Sequence, residues 1–109
     1  MKVNPKTISW TAPTTNVDGT EITYALEYEV GIDVAGEGGY MPLVTIPGQL
    51  QTDGRYEAPI ADLPLMEGEH VIAMRSFAKD DPDLKSEWSE PVMFALKPVP
   101  NAPLDLRVT

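Results

Sequence analysis

A chain of 109 residues without cysteine is sized for one domain whose core needs no disulfide staples. Eight Lys and Arg against 17 Asp and Glu leave a net charge of −9. That balance repels phosphate backbones and anionic lipid, which argues against nucleic acid and membrane as partners. No apolar run approaches the ~20 residues of a membrane span, and residues 1–5 hold no signal-peptide apolar region. Absence of cysteine fits a reducing compartment or a virion without excluding export. Eleven prolines and eight glycines punctuate short apolar segments, which is the pattern of many short strands.

Residues 1–6 are too few and too polar to predict a strand. Residues 6–11 form the first predicted strand, with Ile8 and Trp10 on one face and Pro13 ending the ladder. Trp10 is the side chain the fold must cover with a second layer. Asp18-Gly19 supplies a turn, since Gly tolerates positive φ. Residues 21–31 follow as the clearest strand. Tyr24, Leu26, Tyr28 and Val30 alternate with Ala25, Glu27 and Glu29, the period of a half-buried antiparallel strand.

Four glycines in residues 31–39 predict a mobile hairpin loop. That stretch lacks the strand-before, helix-after placement of a phosphate-binding loop. Residues 40–46 resume as a strand, placed at a sheet edge by Pro42, and Pro47-Gly48 ends it. Asp53-Gly54 marks another turn. Residues 55–63 form a short strand in which Pro59 points to an edge or a bulge. A corner at 64–69 leads into a central strand at 70–78, with Ile72, Met74 and Ser76 inward and Val71, Ala73, Arg75 and Phe77 outward. Residues 79–87 read as a polar loop, and 91–97 as a last strand with Val92, Phe94 and Leu96 on one face. Pro98, Pro100 and Pro103 then stiffen a linker. After it, Leu104, Leu106 and Val108 alternate with Asp105 and Arg107 in the manner of one more strand.

Three ordered motifs carry a resemblance: Ile8-x-Trp10-x-x-Pro13, Tyr24-x-Leu26-x-Tyr28, and Ser86-x-Trp88-Ser89-x-Pro91. Together they resemble a fibronectin type III domain over residues 7–97, and the Thr-Thr-Asn-x-Asp-Gly turn is similar to the version common in bacterial and phage proteins. The resemblance implies an all-β, immunoglobulin-like antiparallel sandwich of about seven strands: B at 6–11, C at 21–31, C′ at 40–46, E at 55–63, F at 70–78 and G at 91–97. It divides the chain into a sandwich core, 1–97, and a proline-rich linker with a strand-like tail, 98–109. The family usually places a Tyr at the start of F; here His70 stands there, able to donate a ring N–H to a corner carbonyl. Strand A has no room in residues 1–6, and its usual sequence appears instead at 102–109. Six linker residues reach at most ~20 Å. Self-closure is therefore strained, and donation of the tail to a neighbour, beside its strand B, suits the geometry better.

With one His and no Cys, a Ser-His-acid triad would have to use His70, which the pattern places at a corner, so the expectation is a non-enzyme without cofactor or metal. Asp80-Asp81-Pro82-Asp83 lacks the ligand spacing of a calcium loop and reads as a solvated loop. Arg75 is placed to stack on Trp88 as a local clamp. The candidate partner-binding residues are Leu104, Leu106 and Val108 in the tail, Phe77 as an outward apolar side chain, and Asp80 and Asp81. The function expected is a structural protein-interaction module in a virion, a capsid decoration or tail component, binding copies of itself or other proteins. The alternatives are one repeat of a bacterial surface adhesin, or a spacer module of a secreted polysaccharide-degrading enzyme.

Overall fold

The structure, a computed structural model, describes residues 1–33 and 39–109. The glycine-rich loop expected at 31–39 falls mostly outside the described residues. Two sheets face each other in an all-β sandwich. The strands are β1 (Lys2–Val3), β2 (Thr7–Trp10), β3 (Leu26–Asp33), β4 (Tyr40–Ile46), β5 (Gln49–Leu50), β6 (Tyr56–Pro59), β7 (Gly68–Ala78), β8 (Asp81–Lys85) and β9 (Val92–Leu96). The larger sheet runs β1-β9-β7-β3-β4, with β8 also on β7, and the smaller runs β2-β6-β5. A 3-10 turn, Ile60–Asp62, lies on the connection from β6 in the smaller sheet to β7 in the larger.

Alternating apolar residues meet between the sheets. Tyr28 and Val30 of β3, Ile72 of β7 and Phe94 of β9 face Ala58, Ile60 and Leu63, with Ile46 closing the group. Trp10 covers this core from β2. Its ring lies 5.2 Å from that of Tyr28, edge-on, and 6.1 Å from that of Tyr56, stacked. Such pairs add to the burial of their area. Gly48, at φ 69°, fits beneath Trp10, where a β-carbon would stand 2.5 Å from Cζ2.

Four expectations need correction. Residues 1–6 do hold a strand: Lys2–Val3 pairs in parallel with Phe94 and Ala95. Asn4 anchors it, with its N–H on the Ala95 carbonyl and its Oδ1 accepting from the Lys97 N–H. Two residues of pairing need no hydrophobic period, which is why the sequence hides them. The polar loop at 79–87 contains β8, which pairs with Phe77 and Ala78. The strand expected at 21–31 begins only at Leu26 and runs on to Asp33. Lastly, Pro59 ends a central strand, since β6 lies between β2 and β5. It stands opposite Thr7. Lys6 accepts the Ile60 N–H one position away. Antiparallel pairs alternate between bonded and non-bonded, so the Thr7–Pro59 pair asks for no donor, and since β5 pairs only with Tyr56 and Glu57, the other side of Pro59 is a local edge.

Pro42 does lie on an edge strand, β4, and 70–78 lies within the central strand β7, between β9 and β3.

Candidate functional site

Three regions take up the residues singled out by sequence. The first is the pole formed by residues 13–24 and the β7–β8 turn. Gly19, at φ 88°, closes the turn onto the Asn16 carbonyl. Oδ1 of Asp18 accepts from both the N–H and the hydroxyl of Thr20, at 3.0 and 2.6 Å. These bonds to the ionised form hold the Asp18 carboxyl below its ordinary range. The Tyr24 hydroxyl donates to Asn16 Oδ1 at 2.5 Å. Asp80 and Asp81 stand exposed in the adjoining turn and at the start of β8. Among the described residues, no group of three or more His, Cys, Asp or Glu is placed to hold a metal.

Phe77 requires a correction. It points away from the core as expected, yet it is only 7% exposed. Strand β8 folds back over it: Phe77 is opposite Lys85, whose Nζ lies 4.6 Å from the ring centroid. It offers no free apolar surface.

The second region is the outer face of the larger sheet. Arg75 stacks over Trp88 as expected, with Cζ 4.1 Å from the ring centroid. Its guanidinium also pairs with Glu29 at 2.6 Å, and Lys85 approaches the same carboxylate at 4.0 Å. The hydroxyls of Ser86 and Ser89 accept the N–H groups of Ser76 and Met74. In return, the N–H groups of Ser86 and Ser89 donate to the carbonyls of Ser76 and Met74. The segment therefore rides along β7 on two serines, each bonded to it through both its hydroxyl and its backbone N–H. His70, at the corner, has Nε2 2.6 Å from the Met66 carbonyl. A carbonyl only accepts, so Nε2 donates, which is the structural role expected of it.

The third region is the edge of the smaller sheet together with the tail. Among the described residues, strand β2 has β6 on one side and no strand on the other. Beside that free edge, two adjoining cavities of about 240 and 210 Å³ share Ile8, Ser9 and Val92. Trp10, Val30 and Ile72 line the first; Ile60 and Phe94 line the second. Residues 98–109 form no strand and are exposed throughout. Leu104, Leu106 and Val108 are 91%, 93% and 100% exposed. Sequence reasoning found the tail but not the groove, because an unpaired edge becomes visible only once every other strand has been placed. No protein-family model, no curated protein and no solved structure matches the chain.

Proposed function

We propose that this chain is a non-catalytic structural module, similar to a fibronectin type III domain, that assembles by giving its C-terminal segment to a neighbouring protein subunit. The observation that carries the reading is the pairing of two unmet needs. Three alternating apolar side chains of the tail stand in water, and strand β2 leaves one edge unpaired. Exposed edges are a liability that proteins usually cover. A donated strand covers this one with main-chain hydrogen bonds and fills the side-chain gaps beside it.

A virion component, such as a capsid decoration or tail protein, is the setting in which many copies of such a module are brought together. The net charge of −9 favours partners that are neutral or basic at the contact. A second reading, one repeat of a bacterial surface protein, draws on the same geometry. The tail leaves from the pole opposite the 13–24 turn, as a connection to a following domain would.

The test is molar mass in solution across concentration, for the intact chain and for a chain ending at Lys97. Assembly by the intact chain alone supports the reading. Equal behaviour of the two chains removes it. Antibody labelling of purified particles then separates a virion from a cell-surface setting.

A further inference from the structure

Strand directions decide which copy can receive the tail as an antiparallel strand. Strand β9 ends at Leu96, opposite Gly68. The Thr7 end of β2 lies at the same pole, since Ile60 bonds to Lys6 and the chain passes from β1 on β9 to β2 within residues 4–6. The tail therefore departs beside the start of β2. To pair antiparallel with its own β2 it would have to reverse, climb the length of that strand and reverse again. The proline-rich stretch 98–103 spans at most ~20 Å, so no length remains for both reversals. The chain instead extends outward, and the molecule measures 70 Å along its longest axis against 36 and 22 Å across. A second copy set in line beyond this pole presents the Trp10 end of its β2 directly to the arriving tail.

The edge itself fixes the alignment. Lys6 accepts from Ile60 across the β2–β6 ladder. Alternation then turns the backbone of Ile8 and Trp10 toward β6 and that of Thr7 and Ser9 toward the free edge. The cavities lie on the face of Ile8 and Trp10. Leu104, Leu106 and Val108 must share that face, which sends Asp105 and Arg107 to the outer one. On the outer face Arg55 reaches across β2, its guanidinium bonded to the hydroxyls of Ser9 and Thr11 at 3.1 and 3.0 Å. Both partners are neutral, and among the described residues no carboxylate pairs with Arg55.

Resting on the reading of a donated tail, we infer that residues 104–109 of one copy dock antiparallel on β2 of the next, with Leu104 and Leu106 filling the groove between β2 and β9 and Asp105 meeting Arg55. The occupant is a second copy of this chain because its tail carries both what the groove lacks, alternating aliphatic side chains, and what Arg55 lacks, a carboxylate on the opposite face. In the free chain Asp105 sits at φ 60° and holds Arg107 at 2.9 Å. Docking straightens the backbone there and exchanges that exposed pair for the contact with Arg55.

The test is a charge exchange read by sedimentation of the full chain. Asp105→Arg alone and Arg55→Asp alone each place like charges at the contact and weaken self-association by roughly five- to tenfold. A chain carrying both changes recovers it. So does an equal mixture of the two single variants, in which every tail finds an opposite charge. The Asp105→Arg chain keeps its acceptor domain untouched, so misfolding cannot mimic that pattern. Single changes without effect, or no recovery on exchange, overturn the docking site while leaving tail-driven assembly in place. Unchanged assembly after removal of 98–109 overturns the donated tail itself.

Discussion

The indole of Trp88 lies against the backbone of Gly31, so close that a β-carbon built on Gly31 would stand 2.6 Å from Cη2 and 2.8 Å from Cζ3. Glycine is required here for space, because its φ lies outside the left-handed region. Trp88 in turn supports Arg75, and Arg75 pairs with Glu29 on the same strand as Gly31. One missing methyl group thus permits a stack that covers the outer face of the larger sheet.

Gly31→Ala forces the ring off its seat, at a cost of ~1–3 kcal/mol typical of overpacking. The check is chemical denaturation together with near-ultraviolet circular dichroism. The Trp88 band should change with the stability. A variant as stable as the parent, with that band intact, would show that the ring has room to slide.

The sequence made this architecture legible where side-chain period carries it. Tyr28, Val30, Ile72 and Phe94 alternate with polar or opposite-face neighbours, and all four are core residues. Pro42 marked an edge correctly because a missing donor is tolerated only there or at strand ends. Strands held by pairing alone were hidden. Lys2–Val3 is too short for any period, and Asp81–Lys85 is exposed at every position, so neither shows an apolar face. Phe77 illustrates the same limit at a single residue. Alternation gave its direction, but its burial depends on β8, which alternation did not reveal. In the candidate site the tail was legible and the groove was not, since a groove belongs to the gap between strands.

Tyr28 predicts a loss of stability at alkaline pH. Burial first, and neighbouring Tyr56 second, push its phenol above the ordinary value of 10.0, while the nearby Trp10 indole partly opposes them. Nε1 of Trp10 is buried without a well-formed hydrogen bond, so its opposing effect is weak. A folded-state value above the unfolded one means the contribution is complete below pH 10.0. It is lost as pH rises through the folded value, because the unfolded chain releases its proton first. Tyr28→Phe should cost about 1 kcal/mol or less at pH 7. Denaturation midpoints from pH 8 to 11.5 should fall less steeply for this variant than for the parent. Parallel curves would mean that Tyr28 ionises equally in both states.

Asp18 predicts the opposite dependence at acid pH. Its carboxyl is held low by the Thr20 hydroxyl and N–H. Its contribution is therefore present above the ordinary value of 3.8 and lost as pH falls through the lower folded value. The readout is the Thr20 amide shift in nuclear magnetic resonance, which should titrate with a midpoint below 3.8. Asp18→Asn should abolish that titration. An unchanged Thr20 signal down to pH 2 would show that the bond does not depend on the carboxylate.

Tail donation also predicts that heat stability depends on concentration. Whatever binds only the folded state raises apparent stability by mass action. A tail seated on a neighbour's β2 is such a ligand, supplied by the protein itself. Once the intact chain exceeds its self-dissociation constant, each tenfold rise in concentration should add about 1.4 kcal/mol to apparent stability. The thermal midpoint should climb accordingly. A chain ending at Lys97 lacks the ligand but keeps every strand and the whole core, because residues 98–109 are exposed throughout. Its midpoint should equal that of the intact chain at high dilution and remain flat as concentration rises. Scanning calorimetry over two decades of concentration makes the comparison. Equal slopes for the two chains would place the self-contact elsewhere on the surface, and a lower midpoint for the shortened chain at every concentration would mean that the tail stabilises its own domain.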